Sequence, residues 1–348
     1  MSNFIYKKVF TEPYIIAEIG VNHEASLAKA KALIKDAKEA GADAVKFQTY
    51  KAEKLASKYS PFYWDINKEK TKSQYELFKK YDKFNFKEYF VLFKYCQKLK
   101  IDFLSTPFDL DSVNFLSDLM PAFKVASADI NNFPLLEKIA TKKKPILLST
   151  GASNLQEIEK TVKFLEKKKC KKLVIMHCIL NYPTKDKDAN LLMINSLKNK
   201  FPNYPLGYSD HTLPDENLSS LLIAYSLGAK VIEKHFTDNK KKPGNDHYHS
   251  MDKVDLKNFK HDLKKLIVKL GISKKKVIKT ERIARKNARR SLVINKDLKK
   301  GSKLKKEFIE IKRPGTGLAP ENLNKIINKK IKKNLKKDQL LKKSYIDI

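Results

Sequence analysis

Apolar residues along the chain gather into eight short runs, each closing on polar side chains and each followed by a stretch of helical periodicity. They read YIIAEIGVN (14–22), DAVKFQTY (43–50), DFLSTPF (102–108), AFKVASADI (122–130), PILLSTGA (145–152), KLVIMHCI (172–179), PLGYSDH (205–211) and VIEKHFT (231–237). Runs this continuous belong to strands buried on both faces, and strands alternating with helices form a parallel sheet. Eight such units close a ring, so the pattern predicts an α/β fold, a (β/α)8 TIM barrel.

Local punctuation agrees. AKEAGADAVKF and AYSLGAKVIEKHF each place a glycine, Gly41 and Gly228, where a helix must stop in a left-handed cap before the next strand. Asn154 and Glu157 have the spacing of a capping box at the start of the fifth helix. Residues 57–78 (SKYSPFYWDINKEKTKSQYELF) interrupt the unit after the second strand. Loops that follow strands lie on the catalytic face of a barrel, so this insertion is expected to cover a substrate. Beyond residue 270 the alternation ends. A charged connector (271–287) leads to short β-type pieces, SLVIN and FIEIK, with KKGSKL and RPGTG as turns and a helix expected near PENLNKII. The reading is a barrel over 1–270 and a small β-rich domain over 288–348.

Composition narrows the function. The net charge of +34 invites nucleic acid, but the lysines are scattered over nearly every helical segment and do not form one stripe with interleaved aromatics. Specific nucleic-acid binding is therefore not expected, whereas small anionic substrates are. No apolar window is long enough for a membrane span, and the first ten residues, MSNFIYKKVF, lack the apolar core of a leader. Cys96, Cys170 and Cys178 are odd in number and lack metal-type spacing. Both features point to a cytoplasmic, reducing location.

In a closed parallel barrel the strand C-termini build the site, and almost every run here ends in Lys, His, Ser, Asp or Glu. His211 and His235 close consecutive strands at similar depth. Neighbouring strands lie about 4.8 Å apart, so two imidazoles there suit one divalent ion as well as two hydrogen-bonded residues of the barrel mouth. Lys46 and Lys124 interrupt apolar strand runs, and with Thr106, Ser127 and Ser209 they form a pocket for a phosphate or carboxylate. The same lysines suit a Schiff-base nucleophile, or plain ion pairs with Glu18 or Asp129. Arg313, in IKRPGTGLAP, is one of few arginines in a lysine-rich chain and sits in a shaped turn.

Nine ordered stretches, IAEIGVNHEASLAKAKALI, GADAVKFQTY, FLSTPFD, KVASADINNFPLL, ILLSTGAS, HCILNYPT, GYSDHT, EKHFTDNKKKPGND and KRPGTGL, resemble the sialic acid synthase family over residues 14 to about 345. The resemblance implies a barrel followed by an antifreeze-like (SAF, β-clip) domain. It implies a transferase that condenses phosphoenolpyruvate with an N-acylated amino sugar of the N-acetylmannosamine type and releases phosphate. A divalent metal (Mn2+ or Mg2+) and a domain-swapped homodimer belong to the same expectation. Carried over by motif, His211 and His235 hold the metal, and Lys46, Thr106, Lys124, Ser127 and Ser209 contact phosphoenolpyruvate. Glu24, Tyr182 and Asp246 line the metal and sugar site, Asn181 is a substrate contact, and Arg313 reaches into the partner subunit's barrel. Asp129 stands where the family has a glutamate, and Leu180 where relatives have a small or polar phosphate contact. Asp129, Glu24 and Arg313 are the expected catalytic residues. Two rivals remain at this stage, a lysine Schiff-base aldolase of sialic-acid-like sugars and a basic nucleic-acid-binding protein.

Overall fold

The computed structural model describes residues 12–244 and 246–347, and the N-terminal stretch read above as lacking a leader lies outside them. The chain divides into two compact units, Met1–Gly271 and Ile272–Ile348. The first is a parallel sheet of β1 (Tyr14–Gly20), β2 (Ala44–Thr49), β3 (Asp102–Pro107), β4 (Phe123–Val125), β5 (Ile146–Ser149), β6 (Leu173–Cys178), β7 (Leu206–Asp210) and β8 (Ala229–His235). Their order is β3-β2-β1-β8-β7-β6-β5-β4, and β3 and β4 pack together to complete the ring. Every residue of β1, β5, β6 and β7 is buried, as strands with a filled barrel interior on one face and helices on the other must be.

The helices outside turn one apolar stripe inward. Leu27–Ala40 buries Ala30, Leu33, Ile34, Ala37 and Ala40, spacings that fall on one face of a 3.6-residue repeat. The expected caps are present: Gly41 (φ 96°) and Gly228 (φ 115°) are left-handed, and Asn154 and Glu157 cap reciprocally. The insertion is ordered by a Pro61–Ser73 bridge and by Trp64 Nε1 donating to the Glu69 carbonyl at 3.1 Å; the helix Gln74–Tyr81 then starts on the Ser73 cap. The fourth strand differs from its predicted run. It stops at Val125, because Ser127–Asp129 coil into a 3-10 turn with Ile130 N bonded to the Ser127 carbonyl. No helix among the described residues is long and apolar enough to cross a membrane.

In the second unit, β9 (Ser291–Ile294) and β10 (Ile309–Lys312) pair antiparallel, and further bridges join Val293 to Leu340 and Leu298 to Leu335. Leu292, Ile294, Leu304, Ile326 and Leu341 are among its buried core. Leu323–Ile326 is helical within the PENLNKII stretch. Part of the segment read as a connector is also helical, Arg282–Ala288, as its run of good helix formers allows.

Candidate active site

The register of the barrel brings the strand-end residues together. Glu18 lies opposite Lys46, Gln48 opposite Thr106, and Ser209 opposite Glu233. Together with β4 and β5 they floor a cavity of about 550 Å³, within the usual range for a small-molecule site. Lys46 Nζ lies 2.8 Å from Glu18 Oε2, 3.0 Å from Thr106 Oγ1 and 3.6 Å from Glu233 Oε1. Lys124 Nζ lies 3.5 Å from the same Glu233 oxygen, to which Ser209 Oγ donates at 3.1 Å. All of these side chains are buried.

Burial and mutual charge set their protonation. Desolvation lifts Glu18 to about 7, with Glu233 adding to the rise and Lys46 opposing it. Against the cost of burial, Glu18 and Glu233 hold Lys46 above its ordinary value. Burial pushes Lys124 down; Glu233 pulls it back only in part, and Lys46 deepens the depression. Burial alone would raise Glu233, but Lys124 and Lys46 outweigh it. The floor thus sets two lysines against two carboxyl groups, Glu233 ionised and Glu18 sharing its proton near neutrality. Ser127 Oγ accepts from Gly151 N at 2.9 Å, and a Cβ on Gly151 would come within 2.9 Å of that oxygen, so only glycine leaves this approach open. Ser149 Oγ, also in the cavity lining, is buried with no hydrogen-bond partner among the described residues. Asp129 reaches the cavity from the 3-10 turn; burial raises its pKa against a 3.0 Å hydrogen bond from Asn132.

A second group sits at the end of β7 and β8. The rings of His211 and His235 are 5.5 Å apart, with Tyr182 4.1 Å from His211. His211 Nδ1 is 2.8 Å from the Ile179 carbonyl, which can only accept, so Nδ1 carries a proton; against burial, Cys178 and that carbonyl hold the ring above its ordinary pKa, and in its neutral form Nε2 offers the lone pair. The loop after β8 folds back through Met251 N to the His235 carbonyl and Thr237 N to the Met251 carbonyl. Asn22 Nδ2 fastens the same loop, to Phe236 O, Asp246 O and Ser250 Oγ. This brings His249 to 4.7 Å from His235, ring to ring, and Asp246 Oδ2 to 3.6 Å from His235 Nδ1. One ligand atom each from His235, Asp246 and His249 lies within 4.8 Å of the others. Burial, then His249 and His211, drives His235 well below the usual histidine range, so it is a neutral donor, and its buried Nδ1 has no hydrogen-bond partner among the described residues. Two imidazole nitrogens and a carboxylate suit a divalent transition ion.

Of the residues named from sequence, Lys46, Thr106, Lys124, Ser127, Asp129, Tyr182, Ser209, His211 and His235 line the one cavity. Asp246 lines a small adjoining one with His235. Glu24 does not join them. It lies in the turn after β1 (φ 49°), its carboxylate 2.6 Å from Lys29 Nζ and 3.2 Å from His247 Nε2. Asn181 is exposed, and its carbonyl accepts from Thr184 Oγ1. Arg313 is exposed in the second unit, just after β10. Lys234 and Asp210, also strand-end residues, are spent on a buried 2.5 Å ion pair with each other. Sequence reasoning missed His249, whose only signal was the HYHS stretch beyond the last strand, and gave no role to Glu233, which links the two lysines.

The profile of the NeuB family matches residues 33–275, and that of the SAF domain matches residues 289–346. The chain is 39% identical to an N,N'-diacetyllegionaminic acid synthase of Legionella pneumophila, over 92% of this chain and 91% of that one. It is 32% identical to an N-acetylneuraminate-9-phosphate synthase of Drosophila melanogaster, over 97% of each. Among solved structures it resembles an N-acetylneuraminic acid synthetase of Leptospira borgpetersenii, crystallised with citrate, at 34% identity and a TM-score of 0.70, covering 79% of this chain and 90% of that one.

Proposed function

The chain belongs to the NeuB family, and from that premise we propose that it condenses phosphoenolpyruvate with an N-acylated amino sugar of the N-acetylmannosamine type, giving a nonulosonic acid and inorganic phosphate. The observation that carries this reading is the buried floor of Lys46, Lys124, Glu18 and Glu233, ringed by Thr106, Ser127, Ser149 and Ser209. Two ammonium groups and four hydroxyls in a dry cleft bind a phosphate and a carboxylate held a few ångströms apart, as in a small phosphorylated enol acid. A bound trianion displaces the lysines from their internal carboxyl partners and gives the unpartnered Ser149 hydroxyl an acceptor.

In the reaction the enol electron pair at C3 forms a bond to the sugar's aldehyde carbon, whose oxygen takes up a proton. Water then adds at C2 and gives up one proton; the C2 hydroxyl so formed loses its own proton to the departing phosphate as the bond from C2 to the phosphate oxygen breaks, leaving a ketone and hydrogen phosphate. Asp129, lifted by burial toward the working range, is the base for that water. Lys46 and Lys124 hold the phosphate and stabilise its growing charge as it leaves. His235, Asp246 and His249, with His211 beside them, would hold the divalent ion, Mn2+ or Mg2+. Such an ion acts as a Lewis acid toward the sugar carbonyl. His211 and Tyr182 orient the sugar from the side of β7. Arg313 is proposed to act on the barrel of a partner subunit in a cytoplasmic homodimer, which complementation between Arg313→Ala and Lys124→Met subunits tests.

The depressed pKa of Lys124 favours one other reading, a Schiff base with pyruvate. Phosphate release measured with phosphoenolpyruvate, with and without an N-acylated mannosamine, separates the two. Release that needs the sugar supports the synthase. Activity with pyruvate alone, trapped on Lys124 by borohydride, would replace it with the aldolase.

A further inference from the structure

We propose that the face of the barrel opposite the active site carries a binding site for a compact polyphosphate, either the phosphate tail of a nucleotide or the same group free in solution. The loops that lead into β5 and β6 lie side by side at that face, because β5 and β6 pair from Ile146 and Leu173 onward and Ile146 N donates to the Lys172 carbonyl at 2.8 Å. Between them is a cavity of about 410 Å³, within the range of small-molecule sites. Lys143 and Lys144 line it from the first loop, and Lys168, Lys169, Lys171 and Lys172 line it from the second. Among the described residues, Glu137 is the one carboxylate in this lining.

Ordinary surface chemistry accounts for part of the charge. The helices Phe133–Thr141 and Leu155–Lys167 both end at these loops, and each C-terminus carries roughly half a negative charge that a cation satisfies. Glu137 pairs with Lys168, and Asp118 attracts Lys144. With two carboxylates and two helix ends set against six lysines, about three positive charges are left over. Like charges crowded in one cavity repel each other, and a bound polyanion turns that repulsion into attraction.

The cavity also has a fixed point. Lys144 Nζ donates to the Ser117 and Met120 carbonyls, which holds its ammonium group in place, while Lys143, Lys169 and Lys171 are exposed and free to close on a ligand. Flexible lysine stems with three donors each suit the oxygens of tetrahedral phosphates. The remaining lining, Ala140, Thr141 and Cys170, has no aromatic face on which a base could stack, so recognition is confined to the phosphates.

The test is calorimetry of the whole chain with inorganic tripolyphosphate, without added metal, repeated with ATP and with adenosine. One tripolyphosphate should bind per chain, and excess phosphoenolpyruvate should leave it in place. Replacing Lys143, Lys169 and Lys171 together by glutamine should weaken binding on the order of 10- to 100-fold, what three exposed charge pairs contribute in sum. A control triple variant, Lys87→Gln with Lys94→Gln and Lys98→Gln, removes the same charge from exposed positions of the helix Phe86–Leu99 and should leave the affinity unchanged. Equal affinity for ATP and tripolyphosphate, with adenosine silent, identifies the phosphate chain as the group that is held; tighter binding of ATP assigns the site to a nucleotide. The proposal is overturned if both triple variants weaken binding alike, since overall charge then explains it. Displacement by phosphoenolpyruvate, which puts the anion on the barrel floor, or absence of saturable binding overturns it equally.

Discussion

Replacing Lys46 with methionine tests the electrostatic account of the barrel floor. The side chain has similar length, so the perturbation removes a charge and leaves no large void. In the native protein Lys46 lies 2.8 Å from Glu18, with both side chains nearly sealed from water. Breaking such a pair from one side strands a buried carboxylate, at a cost of about 3 to 5 kcal/mol. Glu18 can escape by taking a proton, so the cost must depend on pH. Its pKa of about 7 lies above the ordinary value of 4.5, so between those values the folded state binds the proton that the unfolded chain has released, and stability falls as pH rises until Glu18 ionises near 7. Without Lys46, which pulls that pKa down, ionisation moves higher and the fall continues past neutrality. Each further pH unit costs about 1.4 kcal/mol, so the destabilisation at pH 8 should exceed that at pH 6 by about 1.4 kcal/mol. The assay is urea unfolding followed by fluorescence of Trp64, the one tryptophan in the chain, buried in the barrel unit. A loss of about 3 kcal/mol corresponds to a Tm drop of roughly 6 to 12 °C for a domain of this size. A loss below about 1 kcal/mol, or one that is the same at pH 6 and pH 8, would refute the reasoning.

Other expectations follow from single sites. His249→Ala and Asp246→Asn should each weaken Mn2+ binding by roughly 10- to 100-fold, measured by calorimetry on the whole chain; unchanged affinity in both would return the ligand set to His211 and His235. Asp129→Asn should lower kcat on the order of 100-fold while Mn2+ affinity stays within twofold, whereas a large loss of affinity would make Asp129 a ligand. Gly207→Ala on β7 places a methyl 2.7 Å from Met176 Cγ and 2.9 Å from the Val231 carbonyl, so urea unfolding should show a loss of about 1 to 3 kcal/mol, and a neutral result would mean the barrel wall yields there.

The barrel was legible because two-sided burial writes itself as continuous apolar runs, and because Gly41 and Gly228 stop helices where the next strand begins. The pairing of His211 with His235 was legible for a related reason: strands in register put equivalent end residues side by side. The fourth strand was over-read because apolar content does not reveal where a backbone turns into a 3-10 coil. Glu24 stands apart from the cavity because the direction of its side chain is set by a turn with two successive left-handed residues, Glu24 and Ala25, and by the nearby cations Lys29 and Lys242. His249 was missed because it reaches the site through a loop folding back on β8, a long-range arrangement that no local period encodes. The engagement of Glu18 and Glu233 with both lysines was one of several ion-pair choices open to the strand ends, and only the register decides among them.

The most direct measurement is mass spectrometry and carbon NMR of the product formed from phosphoenolpyruvate labelled with 13C at C3, together with the amount of phosphate released. The account predicts one sugar acid, three carbons longer than the amino sugar supplied, with the label in the new carbon–carbon bond and one phosphate freed per product. Labelled pyruvate as the only product, or the same sugar acid formed from pyruvate without phosphoenolpyruvate, would contradict it.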